Sequence, residues 1–243
     1  ASPHTDRLTG HHISDPISAR WILVAGDPKS CLPGTLLFWG SGRYDRAGLW
    51  MKRRHLIIFA KPPRIGRAKR RLAADIGVME ALRFYRHNMA SILRKLGRDP
   101  RWQCWLFVDK GAWRWPKAIL RRTQVGDGLG ARMETALRTL PPGAVVLIGS
   151  DIPCVSANDI WRAFNGFGKS GVVFGPAEDG GFWLVGLANR RIAPGLFRDV
   201  RWSTESTLDD CIANLGQIPV YVAKRFDVDN GSAYFRWRGA VSI

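Results

Sequence analysis

Four short stretches of this 243-residue sequence carry residues that could do chemistry. The first is FAKPPRIGRAKRRLA, residues 59–73, where an apolar run ends in Pro-Pro and six basic residues follow within eleven positions, Lys61 to Arg71. A glycine-containing loop rich in Lys and Arg suits a phosphate, because backbone N–H groups and side-chain cations can converge on its oxygens. It is neither GxxxxGK[ST] nor GxGxxG, and a solvated basic face explains the composition equally well. The second is LIGSDIP, residues 147–153, with Asp151 just past an aliphatic run and held by Pro153. A carboxylate there could hold a divalent cation on a diphosphate, or serve the turn before the next helix. In the third, PAEDGGFWLVGL (176–187), Glu178 and Asp179 precede two glycines. An Asp-Gly hairpin turn accounts for them, and an acid facing a cleft could also act as a general base. The fourth is RFDVDNGSAY (225–234), where Asp227 and Asp229 share one side of an extended segment. They could share a metal or cap the following helix.

The elements that must position these residues alternate. LIIFA (56–60) reads as a fully buried parallel strand. Residues 80–96 place Leu82, Tyr85, Met89, Ile92 and Leu96 on one helical stripe stopped by Gly97. Strand CWLFV (104–108), helix 129–140 and strand AVVLIG (144–149) follow. Helix 156–164 opens on Ser156 with Asp159 three residues on, a capping-box pattern. Strands 172–174 and 182–187, a helix over 203–216 capped by Ser203 or Thr204, and a late strand 218–222 complete the reading. Such alternation predicts a three-layer α/β/α sandwich with a mostly parallel sheet. Ligands of such sheets sit at the carboxyl ends of the strands.

Composition sets the outer bounds. The net charge is +17, and it is unevenly placed: residues 1–50 hold five Lys/Arg against four Asp/Glu, and residues 51–243 hold 32 against 16. Such a surface attracts nucleotides, nucleic acid or acidic head groups. No apolar run approaches a membrane span. Four cysteines without CxxC spacing argue against zinc and thioredoxin-like sites and fit free thiols in the cytoplasm. Residues 1–50 are rich in Gly, Ser, Pro and His, and Met51 opens MKRRHLIIFAKPP. They are expected to be an extension outside a 51–243 domain, the rival being a hairpin packed on it.

Taken in order, FAKPPRIGRAKRRLA, GDGLGARM, IGSDIP, PAEDGGFWLVGL and RWSTEST resemble a bacterial family of GT-A-fold glycosyltransferases of the arsenosugar-biosynthesis-associated type. That family lies within the nucleotide-diphospho-sugar transferase superfamily. The first motif is also similar to the first loop of nucleotidyltransferases such as the molybdenum-cofactor guanylyltransferase. The resemblance spans about residues 54–238. It implies a nucleotide-phosphate loop with Lys61, Arg64, Gly66, Lys69 and Arg71, joined by Asp127 of GDGLGARM. It also implies metal ligands at Asp151 and Asp229 for Mg²⁺ or Mn²⁺, with Lys69 and Arg71 stabilising the leaving diphosphate and Asp179 as base. The chain departs from the family pattern in two places: Arg70 stands where Thr is usual, and Gly149 leaves a single Asp of the usual DxD.

The function so implied is metal-assisted transfer from a nucleotide-sugar to a small acceptor. The alternatives are nucleotidyl transfer with pyrophosphate release and a basic nucleic-acid-binding module. Eleven tryptophans support the last, four of them in the stretch 101–115. A chain beginning at Met51 is expected to melt cooperatively close to the full-length protein in scanning calorimetry; insolubility, or a loss of several kcal/mol, would place the extension on the core.

Overall fold

The computed structural model describes residues 54–66 and 68–241. The expected extension, 1–50, lies outside the described residues. The strands are β1 (Arg54–Ala60), β2 (Gln103–Val108), β3 (Leu120–Thr123), β4 (Ala144–Ile148), β5 (Val172–Pro176), β6 (Phe182–Leu187) and β7 (Val220–Tyr221). The helices are α1 (Arg70–Ile76), α2 (Val78–Leu96), α3 (Gly128–Thr139), α4 (Ala157–Asn165), α5 (Thr207–Leu215) and α6 (Gly231–Val241).

One sheet carries the order β3-β2-β1-β4-β6-β5-β7. Only β6 runs against its neighbours, pairing antiparallel with both β4 and β5. The carboxyl ends of β1, β2, β4, β5 and β7 and the amino end of β6 therefore share one edge. All four chemistry-bearing stretches leave the sheet there.

β1 has no alternation because both its faces are covered: Leu56, Ile57 and Ile58 are fully buried. Leu56 and Ile58 pack with Tyr85, Met89, Ile92 and Leu96 of α2 and Ile160 and Phe164 of α4. Ile57 and Phe59 pack on the other side with Met133, Ala136 and Leu137 of α3 and Cys211 of α5. This is the expected three-layer sandwich. A smaller cluster joins Leu72 of α1, Phe84 of α2, Val228 of the tail before α6 and Tyr234 of α6.

The stripe on α2 is buried at all five expected positions. The helix begins two residues before the expected start, at Val78, because Gly77 in a positive-φ conformation separates it from α1. The capping box at α4 is complete: Asp159 N donates to Ser156 Oγ, and Ser156 N donates to Asp159 Oδ2.

Two expectations are corrected. α5 starts at Thr207, not at Ser203 or Thr204. The Thr204 and Thr207 hydroxyls both donate to Arg201 O at 2.8 Å, folding 201–206 into a compact turn instead of extending the helix. The late strand shrinks to Val220–Tyr221, leaving Ile218 exposed. Of the four tryptophans in the stretch 101–115, Trp102, Trp105 and Trp115 are core residues and Trp113 is exposed. Arginine guanidinium groups lie over three of these rings, Arg101 on Trp102, Arg122 on Trp105 and Arg86 on Trp113. β3 and α1 are absent from the sequence reading, since every residue of β3 is exposed and α1 hides inside the basic knot.

The tail after β7 reaches the site by continuing alongside β5. Val222 N donates to Phe174 O, Arg225 N to Pro176 O and Glu178 N to Arg225 O. Arg225 is anchored sideways to Asp159 at 2.7 Å. Burial pushes the Asp159 carboxyl up, but its bonds from Arg225 and Ser156 outweigh that and hold it below the usual carboxylate range. Asp159→Ala leaves the Ser156 Oγ cap in place but removes the carboxylate half of the capping box and strands a mostly buried guanidinium; the combined cost is expected to be about 2–4 kcal/mol, read by urea unfolding at pH 7. Because the folded-state pKa is depressed, this stability is present above the unfolded value. It fades as pH falls through the folded one, so wild type and variant should converge in acid.

Candidate functional site

The edge where the loops meet holds a cleft of about 670 Å³. Its wall includes Lys61, Lys69, Arg70 and Arg71 from the first loop, Asp151 after β4, Asp179 before β6, and Asp227 and Asp229 of the tail.

At its centre is Lys69. Its ammonium lies 2.9 Å from Asp151 Oδ1 and 2.6 Å from Asp229 Oδ1. The lysine side chain is only 4% exposed, whereas the two carboxylates are 43% and 44% exposed. Burial pulls the Lys69 pKa down; Asp151, then Asp229, outweigh it and hold it above the ordinary lysine value. The backbone of Lys69 is left-handed, φ 54° and ψ 51°. A side-chain-bearing residue there costs on the order of 1–2 kcal/mol, and such strain gathers at functional sites. Lys69 is therefore not part of a solvated basic face. Arg71 is exposed at the cleft wall.

α2 sets the position of the two loops that bracket this lysine. Tyr85 Oη accepts from Lys61 N and donates to Lys61 O, both at 2.9 Å, and lies 3.3 Å from Ser150 Oγ. One turn further, Asn88 Nδ2 donates to Ser150 O at 2.8 Å. Tyr85 and Asn88 thus pin the ends of β1 and β4 to one helix face. Burial, then the charge of Asp151, pushes the Tyr85 phenol up to about 12, so it stays protonated. Gln124 ties the adjacent strands in the same way, donating to Ala60 O and Phe107 O. The tail is locked to β4 by Val228 N donating to Asp151 O, which sets Asp229 beside Asp151.

The other expected residues divide. Lys61 is exposed on the cleft wall. Gly66, at φ 72°, makes the turn of the loop but does not line the cleft. Arg64 is drawn away, its Nε donating to Ala112 O at 3.1 Å. Asp127 sits at the N-cap of α3 without a side-chain cap bond and lines a neighbouring recess rather than the cleft. Asp179 lines the cleft, and its Oδ1 accepts from Gly181 N at 3.0 Å within the turn. Its partner Glu178 points elsewhere, paired with Arg236 of α6. Gly180, at φ 83°, passes so close to the 201–206 turn that a Cβ would lie 2.2 Å from Glu205 O. Neither Asp227 nor Asp229 caps α6; Asn230 Oδ1 and Asp75 Oδ2 take its first amides. Burial, then Asp229 and Asp179, pushes the Asp227 carboxyl up to about 6.

Sequence reasoning missed Tyr85, Asn88, Ser150 and Gln124. Tyr85 was visible only as an apolar stripe residue, and the buried role of the other three has no local signal.

Among the described residues no group of three or more His, Cys, Asp and Glu side chains is arranged to hold a metal ion. Asp151 and Asp229 nevertheless aim one oxygen each at a single point that already holds a cationic group. A hard, all-oxygen pair of this kind fits Mg²⁺ or Mn²⁺, which is commonly held by one or two carboxylates together with substrate phosphates.

Known proteins resemble this chain to different degrees. A bacterial family profile described as "Uncharacterized protein conserved in bacteria (DUF2064)" matches residues 92–204, a span that includes Asp127, Asp151 and Asp179. A crystal structure from Desulfovibrio desulfuricans G20, provisionally named a nucleotide-diphospho-sugar transferase, is 26% identical with a TM-score of 0.66, covering 74% of this chain and 84% of that one. The Mycobacterium sp. strain JC1 homologue of Mycobacterium tuberculosis rv0371c is 16% identical with a TM-score of 0.52, covering 78% and 97%. The 4-diphosphocytidyl-2C-methyl-D-erythritol synthase of Anaerococcus prevotii DSM 20548 is 10% identical with a TM-score of 0.51, covering 79% and 99%. No curated protein matches the sequence. The fold is the nucleotide-diphospho-sugar transferase fold.

Tyr85→Phe should leave the Lys61 N–H and carbonyl without their side-chain partner. The expected loss is about 1–3 kcal/mol, with faster amide exchange at Lys61 than at the core of β1, measured by hydrogen–deuterium exchange.

Proposed function

We propose that this protein is a transferase whose cleft binds a nucleotide-sugar and delivers the sugar to a small acceptor, with Mg²⁺ or Mn²⁺ held by Asp151 and Asp229. The carrying observation is the convergence of those two carboxylates with Lys69 at the carboxyl edge of the sheet, inside a cleft walled by Lys61, Arg70 and Arg71. The name of the Desulfovibrio relative supports a nucleotide-diphospho-sugar as donor. The narrower likeness to arsenosugar-associated members rests on the sequence motifs alone.

In this reading the divalent ion supplies charge neutralisation of the diphosphate leaving group. The protein's own groups do the rest. Lys61 and Arg71 attract the diphosphate, and Lys69, with its raised pKa, stays an ammonium through the neutral range to offset the charge that develops on departure. Asp179, also in the cleft wall, accepts the proton of an acceptor hydroxyl in this reading. Tyr85 and Asn88 act at a distance, holding the β1 and β4 ends in register. Arg64 and Asp127 lie off the cleft wall and take no part in this step.

Nucleotidyl transfer remains the second reading, because the basic loop after β1 suits a triphosphate as well. Incubation with nucleoside triphosphates and with nucleoside-diphosphate sugars separates the two: the first reading releases a nucleoside diphosphate, the second pyrophosphate. In either case Asp151→Asn should keep the fold and abolish the rise in melting temperature that Mn²⁺ adds to nucleotide binding. Asn serves a turn nearly as well as Asp but lacks the charge. An equal metal response in both proteins would remove Asp151 from the site.

A further inference from the structure

The point on which Asp151 and Asp229 converge is already filled by the protein itself. Lys69 Nζ stands 2.9 Å from one carboxylate oxygen and 2.6 Å from the other. A Mg²⁺ ion ligates oxygen at about 2.0–2.1 Å, so an ion bound to the same two oxygens would overlap the ammonium in space and repel it. We propose that Lys69 is a built-in counter-ion that competes with the divalent cation for Asp151 and Asp229, and that it yields the site when an anionic ligand in the cleft draws its ammonium away. This rests on the assignment of those two carboxylates as the metal ligands.

Three observations carry it. The lysine stem is almost wholly buried while both carboxylates remain about half exposed, so the ammonium is delivered from beneath and the metal side stays open to solvent. The left-handed backbone at Lys69 holds the side chain in this approach, where an exposed lysine would point into water. The nearby wall carries Lys61, Arg70, Arg71 and Arg132. An anion attracted there offers Lys69 an alternative partner in the same cleft. Metal and anionic ligand then favour one another's binding through the lysine, and the coupling is reciprocal. The free protein binds metal weakly, which spares it from holding a divalent ion without a substrate.

The test reads metal binding directly, on the full chain, with Mn²⁺ alone as probe and free Mn²⁺ counted by electron paramagnetic resonance. Lys69→Met keeps the length and apolar stem and removes the charge. It should bind Mn²⁺ roughly tenfold or more tightly than wild type, within the usual range of coupling between sites. Lys69→Met combined with Asp229→Asn should lose that gain. Equal or weaker binding by Lys69→Met, while wild type binds Mn²⁺, overturns the competition and leaves the metal reading intact. No Mn²⁺ binding by any variant, with or without nucleotide, overturns both. Should Lys69→Met fail to fold, wild-type protein labelled at lysine Cε and Nζ decides: the Lys69 resonance must move as Mg²⁺ saturates the site, and a stationary resonance under saturating Mg²⁺ refutes the proposal.

Discussion

The ion triad of Lys69, Asp151 and Asp229 is the contact around which this end of the molecule is arranged. Its members come from the loop after β1, the loop after β4 and the tail after β7, and they span 160 positions of sequence. Buried lysines are costly unless their charge is compensated. Each of the three segments therefore has to arrive within hydrogen-bond distance for the others to be tolerated. The backbone bond from Val228 to Asp151 and the Tyr85 hydroxyl on Lys61 bring about that coincidence.

The reversal of β6 has a similar reach. Because β6 runs antiparallel between β4 and β5, the turn holding Asp179 opens at the same edge as the ends of the parallel strands. Gly180 then lets that turn touch the backbone of Glu205, and Leu208 N donates to Gly180 O. The 201–206 turn and the hairpin thereby form one wall of the cleft. Phe182, Phe197 and Trp202 back this wall with a cluster of ring contacts.

Electrostatics separates this site from the rest of a strongly basic protein. Most surface charge is positive, yet Asp151, Asp179, Asp227 and Asp229 gather at one cleft. Such a mixture attracts anions to the rim and cations to the centre. Elsewhere the acids serve the scaffold: Asp159 caps α4 and holds Arg225, Asp75 caps α6, and Glu178 pairs with Arg236.

The sequence alone determined the layer architecture, the strand runs at β1, β2, β4 and β6, the α2 stripe and the capping box at Ser156. These depend on apolar periodicity and on neighbours a few residues apart, and both are written locally. It also marked Lys69, Asp151, Asp179 and Asp229 as chemistry-bearing, since charge just past an apolar strand is conspicuous. Only the tertiary structure decided that Lys69 is buried between two carboxylates and that Arg64 and Asp127 stand off the cleft. It alone revealed Tyr85 and Asn88 as anchors and the 201–206 segment as a turn. Each of those outcomes depends on a partner many positions away, such as Tyr85 on Lys61 and Ser150 or Arg64 on Ala112. A burial pattern can mark a residue as inside, but which distant polar group it meets is fixed by how the strands are ordered in the sheet.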